Sequence, residues 1–331
     1  MHIALVKLSA LGDIVHASVV LQIIHAHVAR AQVDWVAEKR FAPLLEGHPL
    51  LRHVHSVELK EAKKSFPSAW RQWRFLRAFK KEQYDVVIDL QGLIKSALVA
   101  KSLGGKRVVG FSGRSTREWP ASLLYDQSVV VGYEENVIVR NVRLVCEALN
   151  IAYSEELITQ KTPCFFPKTS LHVSLDASRP NVLLVLGSSW PSKVYPKEKM
   201  AIVAHMLDEY ALWMCWGSAT EKEMAEWIAT HTQARVLPLL SLPELIGVVE
   251  ECALVIGPDS GPTHLAWAQN RPSITLFGPT PSGRNAYVTS VNKTLDCGKQ
   301  IDVRRLNKHD ACIETLVPET VVALAKEIID G

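Results

Sequence analysis

Short apolar runs alternate with stretches of helical periodicity from one end of the chain to the other. In the first half His2–Lys7, Val33–Ala37, Val54–Leu59, Val86–Leu90 and Val108–Phe111 read as strands. In the second half Val182–Leu186, Leu212–Trp216, Val236–Leu239, Leu254–Ile256 and Ile274–Phe277 repeat the pattern. Ile14–Ala29, Ser68–Glu82, Glu135–Leu149, Lys197–Tyr210, Glu221–Thr230 and Pro243–Glu250 supply the helices between them. Short apolar strands alternating with helices predict parallel sheets covered on both faces. The rhythm breaks between Ile151 and Pro180, where Pro163, Pro167 and Pro180 stand among mixed polar residues, as a connection between domains requires. The predicted division is a first α/β domain over 1–160, a second over 161–317, and a last helix within 318–331 that packs back on the first domain.

Length and composition agree with two domains. A chain of 331 residues is long for one open α/β sheet and comfortable for two Rossmann-like ones of about 150 residues each. Hydrophobic residues make up 48% and charged residues 21% of it, and no stretch approaches the roughly 18 apolar residues that span a bilayer. The N-terminus enters a strand directly, without the charged lead and cleavage site of a secretory signal, which predicts a cytoplasmic protein. The cysteines (146, 164, 215, 252, 297 and 312) are far apart and mostly in apolar runs, so they read as buried thiols before zinc ligands or disulfides.

A net charge of +3 is too small to mark nucleic-acid binding, but the positive charge is uneven. Lys60, Lys63, Lys64, Arg71, Arg74, Arg77, Lys80 and Lys81 crowd one segment. At helical spacing Arg71, Arg74, Arg77 and Lys81 share one face, and Trp73, Leu76 and Phe79 lean to the other. Such a helix is either a solvated surface or a surface for an anionic glycolipid or membrane.

In doubly wound sheets ligands bind at the loops leaving the carboxyl ends of strands. The first such loop, Leu8-Ser9-Ala10-Leu11-Gly12-Asp13, puts Asp13 at a helix start, as a cap of free amides or as a general base. Gly187-Ser188-Ser189-Trp190-Pro191-Ser192-Lys193 offers small hydroxyls and one lysine, which suits a phosphate cradle or a solvated loop. Gly257-Pro258-Asp259-Ser260-Gly261-Pro262-Thr263-His264 is a turn entering a helix with an early proline, a natural anion site. Within it Asp259 reads as ligand or cap, and His264 as ligand or core histidine. Glu221, after Trp216-Gly217-Ser218, is placed to meet ribose hydroxyls or to close a capping turn. Phe277-Gly278-Pro279-Thr280 closes the last predicted strand.

The absences narrow the class. No G-x-G-x-x-G follows a strand, Gly105-Lys106 lacks the rest of a P-loop, and neither H-E-x-x-H nor G-x-S-x-G occurs. There is no Asp-x-Asp, a metal-chelating signature of many sugar-nucleotide transferases, so a metal-independent reaction is expected.

Taken in order, Lys7 to Asp13, Asp89-Leu90-Gln91-Gly92-Leu93-Ile94-Lys95-Ser96, Ser188 to Pro196, Trp216 to Glu221, Asp259 to His264 and Phe277 to Thr280 resemble the bacterial lipopolysaccharide heptosyltransferases of the GT-B type, closest to the heptosyltransferase I group. The resemblance implies an inverting transfer of L-glycero-D-manno-heptose from ADP-heptose to Kdo of the lipopolysaccharide inner core, with Asp13 as the base and no cofactor. It implies that Ser188, Ser189, Lys193, Asp259, Ser260, Gly261 and His264 hold the donor phosphates and heptose. Glu221 would then meet ribose, and Leu240 adenine. On the acceptor side it implies Ser9, Gly12, Lys60, Lys63, Lys64, Gln91, Lys95 and Arg117, facing Kdo-lipid A. A monomer associated peripherally with the inner membrane is expected, with no nucleic acid as partner. The sequence departs from that pattern at Ser188-Ser189, where threonines are common, at Tyr195, where tryptophan is common, and at the acceptor lysines, where arginines are common. The alternatives are heptosyltransferase II or III, a transferase of another nucleotide sugar, a GT-B-shaped epimerase or hydrolase, and a silent binding protein.

Overall fold

The near-continuous apolar runs become strands buried on both faces. The computed structural model describes residues 1–58, 82–167 and 172–331, and the chain divides into two units, Met1–Phe166 and Pro167–Gly331. In the first unit β1 (His2–Val6), β2 (Gln32–Glu38), β3 (His53–Val57), β4 (Val86–Asp89), β5 (Val108–Phe111) and β6 (Gln127–Val129) form one sheet in the order β3-β2-β1-β4-β5-β6. In the second, β7 (Asn181–Val185), β8 (Ala211–Cys215), β9 (Arg235–Val236), β10 (Leu254–Pro258), β11 (Ser273–Phe277) and β12 (Asn292–Asp296) are ordered β12-β11-β10-β7-β8-β9. Counted from each unit's own first strand, the two orders are the same. Every pairing among these strands is parallel.

The order reverses between β1 and β4 in one sheet and between β7 and β10 in the other, which places the ligand-binding switch points of this fold there. Ile3, Leu5, Val87 and Ile88 around the first point, and Val182, Leu184, Leu254 and Ile256 around the second, are wholly buried. Burying one such side chain contributes about 1.5–3 kcal/mol, so the strands that carry the site loops are firmly anchored.

The helices are α1 (Leu11–Ala17), α2 (Val20–His27), α3 (Ile94–Leu103), α4 (Val137–Leu149), α5 (Lys197–Met206), α6 (Ala219–His231), α7 (Leu242–Glu250), α8 (Gly261–Ala268) and α9 (Pro318–Asp330), with shorter turns between them. The single helix expected over Ile14–Ala29 is two, α1 and α2. The chain turns at Ser18, whose hydroxyl and amide both donate to the carbonyl of Val15. The predicted basic helix from Ser68 lies outside the described residues, as do Lys60, Lys63 and Lys64. Among the described residues no helix is long and apolar enough to cross a membrane.

Two expectations are corrected. The last helix, α9, packs on α5, β10 and β11 of the second unit. Its buried Val321, Val322 and Ala325 complete that unit's core, which is where its apolar face finds cover. The cysteines also divide. Cys146, Cys164, Cys215 and Cys252 are buried free thiols, whereas Cys297 and Cys312 form a disulfide. The end of β12 and the short turn Cys312–Thr315 bring their Cα atoms to 5.9 Å, a juxtaposition set by the tertiary fold and not by spacing.

Candidate functional site

In the first unit the site loops leave β1 and β4. Asp89 ends β4 fully buried, and its carboxylate accepts from the Ser96 hydroxyl at 2.7 Å, the Tyr125 hydroxyl at 2.8 Å, and the amides of Gln91 at 2.9 Å and Gly92 at 3.3 Å. Burial pushes its pKa up, and these hydrogen bonds oppose the rise. Gly92, at φ +69°, takes the left-handed turn that brings both amides round to the carboxylate. The Gln91 side chain crosses to the neighbouring loop. Its oxygen accepts from the amides of Leu8 at 2.7 Å and Ser9 at 3.2 Å, and its nitrogen donates to the Ser9 carbonyl at 2.6 Å.

That loop leads to Asp13 in the first turn of α1, where the carboxylate accepts from the Ala10 amide at 2.9 Å. Asp13 and Gly12 are half-buried. Lys95 reaches the Ser9 hydroxyl at 3.4 Å and Glu38 at 3.6 Å. Ser9, Gly12, Asp13, Gln91 and Lys95 thus share one neighbourhood. Gln91 braces the loop backbone there. Arg117 is exposed in the loop after β5.

In the second unit the focus is Asp259, buried just after β10. Lys193 lies 2.6 Å and Thr280 Oγ1 2.7 Å from its Oδ2, Asn285 Nδ2 lies 3.3 Å from the same oxygen, and His264 Nε2 lies 2.8 Å from Oδ1. Burial raises the cost of this charge, but His264 and Lys193 outweigh it and hold the carboxyl well below the usual carboxylate range. The Ser188 hydroxyl donates to the Asp259 carbonyl at 2.8 Å, so the loops after β7 and β10 are tied together. Ser260 holds the N-cap position of α8, which begins at Gly261, without a side-chain capping hydrogen bond. Asp259 is therefore not the cap of α8, and His264 is a buried partner of Asp259.

Glu221, in the first turn of α6, accepts from the Gly217 amide at 2.8 Å, a capping-turn arrangement. It also lies against the β7 loop, because a Cβ at Gly187 would overlap its carboxyl group. Ser189 is exposed, and Leu240 is half-buried just before the Ser241 cap of α7. Trp190 carries Lys193 at 5.3 Å and Lys308 at 4.9 Å from its ring centre.

Sequence reasoning missed Thr280 and Asn285 as partners of Asp259, and Asp89 as the organiser of the β4 loop. Thr280 had a signal, as the polar end of the strand-terminating Phe277–Thr280 turn. Asn285 had none. Among the described residues His2, Asp34 and Glu82 have ligand-type atoms within 4.8 Å of one another. Arg52 already supplies the positive charge there, at 2.6 Å from each carboxylate.

The chain belongs to glycosyltransferase family 9 (heptosyltransferase), whose sequence profile matches residues 72–311. It is a glycosyltransferase with two Rossmann-like sheets of the GT-B arrangement. It is 37% identical to lipopolysaccharide heptosyltransferase 1 of Campylobacter coli, with 99% of each chain covered. It is 32% identical to lipopolysaccharide heptosyltransferase 1 of Pseudomonas aeruginosa, over 86% of this chain and 80% of that one. The fold resembles Escherichia coli heptosyltransferase WaaC with ADP, at a TM-score of 0.80 and 24% identity, over 99% of this chain and 100% of that one.

Proposed function

We propose that the protein transfers L-glycero-D-manno-heptose from ADP-heptose to a Kdo residue of the lipopolysaccharide inner core. The observation that carries this reading is the end-to-end similarity to a lipopolysaccharide heptosyltransferase 1. It is supported by a family structure that holds ADP-2-deoxy-2-fluoro heptose. The acceptor, Kdo-lipid A, is met at the cytoplasmic face of the inner membrane, and the protein acts as a monomer.

The work divides between the units. In the first, Asp13 accepts the proton of the acceptor hydroxyl as its oxygen bonds to the anomeric carbon, and Arg117 and Lys95 face the acceptor's anionic groups. In the second, the bond from the anomeric carbon to the diphosphate breaks and its electron pair leaves with ADP. Lys193 and the amides opening α8 oppose the charge that develops there. A single displacement inverts the anomeric centre.

The test is ADP release from ADP-heptose with and without Kdo-lipid A, beside Asp13→Ala. Release that requires the acceptor and is lost in the variant, with ADP affinity retained, is the expected result. Release without acceptor points to a hydrolase or epimerase. Undiminished turnover in Asp13→Ala removes that residue as the base.

A further inference from the structure

Apolar side chains gather on the surface of the first unit where two elements abut. Ile94 and Leu98, one turn apart on α3, are 40% and 55% exposed, and Trp119 and Leu123 in the short helix Trp119–Leu124 are 63% and 72% exposed. The two elements pack on each other. Glu118 accepts the Ile94 amide at 2.8 Å, which stitches the start of one to the start of the other. Apolar residues scattered singly on a surface need no explanation, but large ones side by side on two abutting elements do.

The rim of this patch is cationic. Lys95 follows Ile94, and Arg114 and Arg117 are exposed in the loop that leads into Trp119. Of the acids on these elements, Glu118 accepts the Ile94 amide and Asp126 pairs with Lys101 at 2.7 Å, while Lys95 itself reaches Glu38 at 3.6 Å. We propose that this patch docks the protein on an anionic phospholipid bilayer, with Trp119 and Leu123 entering the interfacial layer and the rim facing the headgroups. A tryptophan ring suits that depth because it is apolar along one edge and hydrogen-bonding at the other. Apolar burial and attraction to anionic lipid then act together, which a zwitterionic surface does not provide. The inference rests on the lipid-anchored acceptor proposed above. Arg117 stands two residues before Trp119, so the patch sets the height of the acceptor site over the membrane.

The full-length protein is sedimented with vesicles of phosphatidylglycerol and phosphatidylethanolamine, and with vesicles of phosphatidylcholine alone, no acceptor being present. Wild type should pellet with the anionic vesicles and be released by salt. Trp119→Ser with Leu123→Ser should bind them about tenfold or more weakly. Trp119→Phe with Leu123→Phe should restore binding, and ADP affinity should be the same in all three. Equal pelleting of wild type and the serine variant, or no pelleting of wild type with anionic vesicles, overturns the proposal. So does sedimentation velocity showing a wild-type dimer that the serine variant abolishes, since the patch is then an interface between copies. Transfer to detergent-dispersed acceptor is measured in parallel. Its absence in wild type that still pellets counts against the proposed reaction and leaves the docking surface standing.

Discussion

Replacing Asp259 by Asn tests whether the second unit stores its cation on a buried carboxylate. Lys193, only 10% exposed, lies 2.6 Å from that carboxylate, which is itself 7% exposed. Asn keeps the shape and can still accept from Thr280, but it leaves the Lys193 ammonium buried without its counter-charge. Removing one partner of such a pair costs about 3–5 kcal/mol, and the retained hydrogen bonds favour the lower figure. For a unit of this size each kcal/mol is about 2–4 °C, so a loss of about 3 kcal/mol lowers the midpoint by roughly 6–12 °C. The unfolding of the second unit is followed at neutral pH through its tryptophans. Lys193→Met added to Asp259→Asn should recover part of the loss, because both charges are then gone. Saturating ADP should raise the variant's midpoint by more than wild type's, its diphosphate replacing Asp259 as the partner of Lys193. Because the Asp259 pKa is depressed on folding, its contribution is present above about pH 4 and lost as pH falls further, so acid should weaken wild type more than the variant. A variant within about 1 kcal/mol of wild type at neutral pH refutes the reasoning.

Gln91→Ala should lower kcat by about tenfold to a hundredfold by loosening the loop that carries Asp13, with ADP affinity unchanged, and Gln91→Glu should restore part of it. Equal kcat in both variants would make the brace irrelevant to turnover. Burial pushes the pKa of His48 down, and its ring sits between the Cys164 carbonyl at 2.9 Å and the Leu50 amide at 3.1 Å. The neutral ring is the folded form, so its contribution is present above about pH 6.5 and lost as pH falls below. In urea titrations at about pH 7.5 and pH 5.5, either side of that value, wild type should lose more stability on acidification than His48→Gln, and parallel losses would exclude His48 as the cause.

The central strands were legible because they are short, apolar and bounded by turns. β6 and β12 were not, since an edge strand has one covered side and tolerates sequences as polar as Gln127-Ser128-Val129 and Asn292-Lys293-Thr294-Leu295-Asp296. α3 escaped notice because its small and apolar residues give no strong stripe. In the site, the loops were visible as glycine, serine and aspartate after strands, but their cross-bonds were not. Asn285 meets Asp259 across 26 residues because the neighbouring strands β10 and β11 end side by side, and Cys312 meets Cys297 across 15 because the chain after β12 folds back on the end of that strand. Gln91 shows the same limit. Its position in a motif suggested a ligand contact, but nothing in the sequence announced that its side chain also fastens the backbone of Leu8 and Ser9.

The repeated strand order has a further consequence. In each unit the loop after the fourth strand is fastened to the loop after the first, by Gln91 to Ser9 in one and by Ser188 to Asp259 in the other. Each fastening is made and broken inside its own unit. Gln91 and Ser188 share no partner, so either fastening can be loosened by substitution without removing a hydrogen bond from the other.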